Sequence, residues 1–238
     1  MLAQDLDLAA ILQTPGAAYA RYQRIVELRS HRAIGHESLL HAVWRGREIS
    51  PGELFGGTSP AATRLAAERL GFEAGVRDSA GWLRAHLLFL KAGPAMLAGE
   101  LDPGFVMPRL KDQRLPASQV VIALPALPGV GPVRLRGAAT RCAAAGLQVA
   151  ITAVRDAETM GTVGGRAQWA VLDRSVTIDE SAAGRAHLDG IVAVARGHGV
   201  RLIGFGVETE AQAARLLDAG VEHGQGWLFG RPRRPTVG

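Results

Sequence analysis

The sequence is poor in several residue types, and each shortage narrows the class of protein. Cys142 is the only cysteine among 238 residues, which excludes an internal disulfide and predicts a reducing, cytoplasmic location. Aromatic residues make up only 5% of the chain, so we expect a core built mainly from alanine, leucine and valine. No apolar run approaches the roughly 20 residues that cross a bilayer. Residues 1–5 also carry no basic segment of a signal peptide, so we expect no membrane association.

Lysine is also scarce, since it occurs only as Lys91 and Lys111, and arginine supplies nearly all of the positive charge behind the formal net charge of +5. A nucleic-acid surface requires a clustered basic patch. The arginines are scattered along the chain, apart from Arg231, Arg233 and Arg234 near the C-terminus. The composition therefore does not favour nucleic-acid binding.

Short apolar runs alternate with helical segments along most of the chain. The runs are centred near residues 20, 35, 88, 121, 150, 170, 203 and 227, which indicates a (β/α)8-type barrel of the α/β class. The turn at His31 and Arg32 is short, so we expect the first two strands to form a hairpin. No linker interrupts the alternation. We therefore predict one barrel domain over residues 19–235, after an N-terminal extension over residues 1–18 with a short helix at residues 6–12.

Capping residues mark several helix boundaries. Ser50 predicts the N-cap of one helix, and Thr209 predicts the N-cap of another that Gly220 ends. The second helix follows an apolar strand. After this helix we expect a turn at residues 223–226 and the last strand of the barrel in the apolar piece at residues 227–229.

Few polar residues lie where the strands of such a barrel end, although ligand sites in these barrels form at that end. Two-metal hydrolysis of a phosphodiester needs several carboxylates around two cations about 4 Å apart. The chain cannot supply that set there, so we expect no bound metal, no other cofactor and no catalytic residue. We expect Asp173 and Arg174 to form a structural ion pair. The polar side chains expected at a ligand site are Gln23, Glu37, Asp173, Glu208 and Gln225.

Several segments resemble the motifs of EAL domains, which hydrolyse the bacterial second messenger cyclic di-GMP. The resemblance covers residues 19–232 and is carried by YQRIVEL, HESLL, ISPGELF, VLDRSV, GVET and QGWLFGRP. It places Gln23 at a family glutamine and Glu37 at the metal-binding glutamate of the namesake motif. It also places Gln225 at the glutamine that lines the ligand pocket. The resemblance implies a TIM-like barrel of the EAL kind.

The resemblance fails at most of the residues on which the family's chemistry depends. Of the metal ligands that it implies, only Glu37 is present, and one carboxylate cannot hold two divalent cations or activate water. The resemblance therefore implies a degenerate domain without phosphodiesterase activity. The positions that differ are the ligand asparagine (Phe89), a ligand glutamate (Ala123), the paired aspartates (Thr152 and Ala153), the catalytic lysine (Val171), the glutamate before the GVET segment (Phe205) and the arginine after the namesake motif (His41).

Three functions stay open at this point. Degenerate members of the family act through protein contacts, so the resemblance favours a regulatory domain that binds a protein partner. The alternative is a receptor that binds cyclic di-GMP without hydrolysing it. Glu37 would then face the phosphates without a compensating cation, which predicts weak binding. An active enzyme with a relocated site is the third hypothesis, and the sequence leaves the partner and the oligomeric state, including a homodimer, open.

Overall fold

A computed structural model of the protein describes residues 7–57, 59–83, 85–98, 101–127, 129–163 and 165–235. The strands are β1 (Ala18–Glu27), β2 (Ala33–Trp44), β3 (Arg47–Ile49), β4 (Leu87–Lys91), β5 (Val120–Pro125), β6 (Gln148–Val154), β7 (Trp169–Leu172), β8 (Arg201–Phe205) and β9 (His223–Gln225). The helices are α1 (Leu8–Gln13), α2 (Pro51–Phe55), α3 (Ala61–Arg77), α4 (Pro94–Ala98), α5 (Pro103–Asp112), α6 (Pro132–Ala144), α7 (Ala157–Val163), α8 (Arg174–Ile178), α9 (Ala182–Gly197) and α10 (Glu210–Ala219). Residues 1–6 of the predicted N-terminal extension lie outside the described residues.

Eight of the strands close into a barrel. Their order is β1-β9-β8-β7-β6-β5-β4-β2, with β1 also paired to β2, and β3 extends the sheet beside β2. β1 runs antiparallel to both of its neighbours, β2 and β9. All other neighbouring strands of the barrel, from the β2–β4 pair to the β8–β9 pair, are parallel. The predicted (β/α)8-type barrel, with a hairpin of the first two strands, is confirmed.

The β1–β2 hairpin determines which polar residues meet. Its register places Gln23 directly opposite Glu37, and alternation along β1 puts Gln23 on the same face as Ile25, which packs inside the barrel. β2 continues beyond the barrel wall and pairs there with β3. The hairpin thus delivers an amide and a carboxylate to the same end of the barrel.

Side chains fill the inside of the barrel. Phe89 and Trp169 meet edge to face with ring centroids 5.7 Å apart, an arrangement that suits the charge distribution of aromatic rings. The guanidinium carbon of Arg201 lies 3.6 Å from the centroid of the Trp169 ring. A ligand site must therefore lie above this interior cluster, where the strands end. The cluster consists of Ile25, Phe89, Val121, Ala123, Ala150, Trp169 and Ile203.

The last strand of the barrel differs from the prediction. The strand is β9, whose residues were expected to form a turn, whereas the apolar piece Trp227–Phe229 forms a 3₁₀ turn. β9 is a strand because it pairs with β8 on one side and β1 on the other. Gly226 is required directly after it, since a Cβ there would collide with the backbone of Val207.

The predicted helix caps are confirmed. Ser50 and Glu53 form a capping box at α2, and Thr209 and Gln212 form another at α10. Gly220 ends α10 with φ 93, a left-handed conformation that favours glycine. β3, α5 and α8 were not predicted as separate elements. Among the described helices, none combines the length and the apolarity needed to cross a membrane.

Candidate functional site

Three of the expected site residues meet at the mouth of the barrel, the end at which the parallel strands finish. Gln225 donates hydrogen bonds to Glu37 Oε2 at 2.7 Å and to Gln23 Oε1 at 3.1 Å. Gln23 in turn donates to the carbonyl oxygen of Gly230 at 3.1 Å. All three side chains are buried. The amide of Gln225 on β9, itself positioned by Gln23 on β1, therefore holds the carboxylate of β2 in one orientation.

Lys91 completes this group. It stands at the end of β4, and its Nζ lies 3.2 Å from Glu37 Oε1. The lysine side chain is 54% exposed and the glutamate side chain only 9%, so the ammonium lies above a buried carboxylate. The expectation that Glu37 would lack a compensating cation is wrong. We call Gln23, Glu37, Lys91 and Gln225 the mouth cluster.

Sequence reasoning missed Lys91 although a signal for it exists. β2 and β4 are parallel neighbours in which Glu37 is paired with Phe89. Lys91 follows Phe89 by two residues and projects from the same face of the strand. A lysine two residues after the partner of Glu37 lies just beyond the last paired residues of β2 and β4, and its side chain can reach back to the glutamate.

The positions at which the resemblance places the other metal ligands and the catalytic lysine carry none of the expected side chains. Phe89 and Ala123 belong to the buried interior cluster, and Val171 packs against it. Ala153, near the end of β6, has φ 59, a left-handed conformation that is unusual for alanine. Phe205 is 37% exposed at the end of β8.

The donor atoms at the mouth do not fit the two-cation centre that the EAL resemblance implies. Both carboxylate oxygens of Glu37 are engaged, one by Lys91 and one by Gln225. A cation placed against this carboxylate would be repelled by the ammonium of Lys91. Throughout the part of the chain that the structure describes, no group of three or more His, Cys, Asp or Glu side chains could hold a metal ion.

Asp173 and Glu208, the other two expected site residues, have different partners. Asp173 caps α8 through the backbone N–H of Ser175 at 3.0 Å and pairs with Arg155 at 3.2 Å. Burial opposes ionisation of Asp173, but the hydrogen bonds from Ser175 and Arg155 outweigh it and lower the pKa of the carboxyl group. Glu208 pairs with Arg174 at 2.8 Å. The predicted Asp173–Arg174 ion pair is wrong, because consecutive residues at a strand end and a helix start point in different directions.

A cavity of about 550 Å³ opens beside the mouth cluster, between the middle of β2, the ends of β4, β5 and β6, and the helices α2 and α3. Lys91, Arg64 and Glu68 contribute its charged groups. Glu68 accepts hydrogen bonds from the backbone N–H groups of Ala95 and Met96 at the start of α4, and burial raises the pKa of its carboxyl group despite those bonds. The volume lies in the range of small-molecule sites.

The fold is a closed (β/α)-barrel in which one strand, β1, runs antiparallel to both neighbours. The mouth of this barrel carries one glutamate and two glutamines. The EAL domain family matches residues 12–232, and the chain belongs to this family. No curated protein matches the sequence.

Solved structures resemble the chain over nearly its whole length. The PaMucR phosphodiesterase, in complex with c-di-GMP, has a TM-score of 0.81 and 21% identity over 96% of this chain and 98% of that chain. The Bacillus subtilis YkuI protein, in complex with c-di-GMP and calcium, has a TM-score of 0.82 and 15% identity over 98% of this chain and 60% of that chain. A standalone versatile EAL protein from Vibrio cholerae O395, in its c-di-GMP-bound form, has a TM-score of 0.79 and 15% identity over 93% of this chain and 94% of that chain. At these identities the likeness establishes the fold alone.

Proposed function

We propose that this EAL domain does not hydrolyse cyclic di-GMP and that it acts by binding, as a regulatory domain of bacterial signalling. The engagement of Glu37 by Lys91 and Gln225 carries the proposal. Two-metal hydrolysis requires a water activated by bound cations. The only carboxylate at the resembling ligand positions already has its own partners, so this route to an activated water is missing.

Contact with a protein partner is the first mode of action that we propose. Two aromatic side chains are exposed near the mouth, Phe205 at 37% and Trp227 at 58%. They stand at the end of β8 and just after β9, and the guanidinium carbon of Arg231 lies 4.2 Å from the centroid of the Trp227 ring. Tryptophan and arginine are enriched among the residues that dominate protein interfaces. These exposed side chains support a protein contact at this rim.

Binding of cyclic di-GMP without hydrolysis is the second candidate, and one observation favours it. The exposed ammonium of Lys91 borders a cavity of about 550 Å³. An ammonium is a suitable donor to phosphate oxygens. The same ammonium pairs with Glu37, so the argument that an uncompensated Glu37 carboxylate would repel the phosphates of the nucleotide no longer applies.

A hydrolysis assay tests the absence of activity. The purified protein is incubated with cyclic di-GMP and Mg²⁺ or Mn²⁺, and the linear product is quantified by chromatography. We expect no turnover above the background without protein. Metal-dependent turnover that disappears in Glu37→Ala would contradict the proposal.

Two matched variants separate the two modes of binding. Trp227→Ala changes the exposed rim, whereas Gln225→Ala changes the buried mouth cluster. If the domain acts by protein contact, a partner retained from the native cell is lost with Trp227→Ala and kept with Gln225→Ala. Cyclic di-GMP then binds more weakly than about 10 μM by calorimetric titration. Submicromolar binding that Gln225→Ala abolishes would favour the receptor instead.

A further inference from the structure

The mouth cluster balances its own charge. Glu37 contributes its carboxylate and Lys91 its ammonium, with Nζ 3.2 Å from Oε1, while Gln23 and Gln225 are neutral. A carboxylate with only 9% of its side chain exposed needs an opposite charge and hydrogen bonds to stay ionised at low cost. Lys91 supplies the charge, and Gln225 supplies a hydrogen bond to the second oxygen.

Lys91 stands among the positions that resemble metal ligands. It follows Phe89 by two residues in β4, so the two side chains project from the same face. The register of β4 with β5 pairs Lys91 with Ala123, and the register with β2 pairs Phe89 with Glu37. The ammonium therefore contacts the one carboxylate found at the positions that resemble metal ligands, and it lies beside Ala123, a position of this set without a carboxylate.

We propose that the Lys91 ammonium takes the place of a divalent cation at the mouth, as a covalently attached counter-ion of Glu37 that excludes metal ions. One ammonium neutralises one carboxylate. A divalent cation bound to Glu37 would exceed the charge of this single carboxylate, and the ammonium of Lys91 would repel it. The ammonium has three N–H donors, so donors remain for an anionic group in the adjacent cavity without any metal. This inference goes beyond the absence of hydrolysis, and it does not require that cyclic di-GMP binds.

Titration with Mn²⁺ alone tests the exclusion, with free Mn²⁺ measured by electron paramagnetic resonance. One protein carries Ala123→Glu, Thr152→Asp and Ala153→Asp, which add carboxylates at positions lining the cavity, and retains Lys91. The other carries the same changes and Lys91→Ser. We expect the protein without the lysine to bind Mn²⁺ at least about tenfold more tightly, because the competing charge is gone. Equal affinities would overturn the proposal.

A thermodynamic cycle keeps the proposal testable where the multiple variants fail to fold. Lys91→Met, Glu37→Gln and the double variant are compared by thermal melting. We expect Lys91→Met to lower the Tm by at least about 4 °C, and Glu37→Gln to restore at least about half of that loss in the Lys91→Met background. Lys111→Met is the matched control, since Lys111 is the only other lysine and is exposed on α5. Additive losses would overturn the counter-ion role.

The experiments distinguish this inference from the proposed function. Turnover of cyclic di-GMP by the unchanged protein would contradict the absence of hydrolysis and leave the thermodynamic cycle to decide the role of Lys91. Equal Mn²⁺ affinities of the two proteins with added carboxylates would overturn the exclusion of metal ions, and the hydrolysis assay on the unchanged protein would still stand.

Discussion

Replacing Phe89 by asparagine, the residue that the EAL resemblance expects at this position, tests whether the barrel interior is packed around the aromatic ring. Phe89 is 2% exposed and contacts Trp169 edge to face. Removing a buried phenylalanine ring costs about 3–5 kcal/mol, and an unpaired amide among apolar neighbours adds about 1 kcal/mol or more. We therefore expect Phe89→Asn to lower the free energy of unfolding by about 4 kcal/mol or more.

Urea denaturation followed by far-UV circular dichroism measures this loss. Phe205→Asn is the matched control, since Phe205 is 37% exposed at the mouth and should cost less than about 1 kcal/mol. In thermal melting, a loss of 4 kcal/mol corresponds to a fall in Tm of about 8–16 °C for a chain of this size. A loss below about 1.5 kcal/mol in Phe89→Asn would refute the reasoning, because an asparagine ligand would then be compatible with the packed interior.

The remaining predictions concern backbone, caps, pH and cooperativity. Gly226→Ala should destabilise the protein by about 3 kcal/mol or more in urea, because the added Cβ collides with the backbone of Val207. Gly190→Ala in α9, where nothing lies near the added Cβ, should instead stabilise it by up to about 1 kcal/mol. Thr209→Ala removes a side-chain cap of α10 and should cost about 1 kcal/mol in thermal melting. Burial lowers the pKa of His36 from 6.5 to about 4. The unfolded chain then binds more protons below pH 6.5, so stability should fall by about 1 kcal/mol from pH 7 to pH 5, and by less in His36→Gln. Calorimetry should show one unfolding transition, and two separated transitions in a monomeric sample would contradict the predicted single domain.

Most of the barrel was predictable because its strands have a local signature. β4 and β5 are nearly uniform apolar runs, as strands buried on both faces must be, and glycine or proline follows each of them. The hairpin of β1 and β2 was predictable because its turn is short. Capping boxes are also local, since the side chain and the backbone that it caps are three residues apart.

β9 was not predictable from local composition. Histidine, glycine and glutamine have little preference for a strand, and the following Trp227–Phe229 has more. The strand forms because β8 and β1 present unpaired backbone groups on either side of it. The apolar piece cannot take this role because Gly226, in the position directly before it, brings the backbone against Val207.

The site was predictable only in part, because some of its contacts join residues that are distant in the sequence. Glu37 and Gln225 were both expected at the ligand site, and both lie in the mouth cluster, although Glu37 lies within β2 and only Gln225 ends its strand. Lys91 could be found only by combining two facts, that β2 and β4 are neighbours and that Glu37 is paired with Phe89. Asp173 also lies at a strand end, where it caps α8 locally, but its ion pair with Arg155 joins residues that are distant in the sequence, and no spacing reveals it.

The mouth cluster gives Glu37 a structural role in the barrel. Its members come from β1, β2, β4 and β9, which include both antiparallel neighbours of β1. These are the pairings through which the barrel closes, and β9 contributes only His223 and Gly224 to its pairing with β1. A charged hydrogen bond from Gln225 and an ion pair to Lys91 therefore connect β9, the shortest strand of the barrel, and the parallel wall to the closing hairpin. Loss of the glutamate would leave the Lys91 ammonium without its ion-pair partner and the Gln225 amide with one acceptor fewer, so the carboxylate contributes to the closure of the barrel.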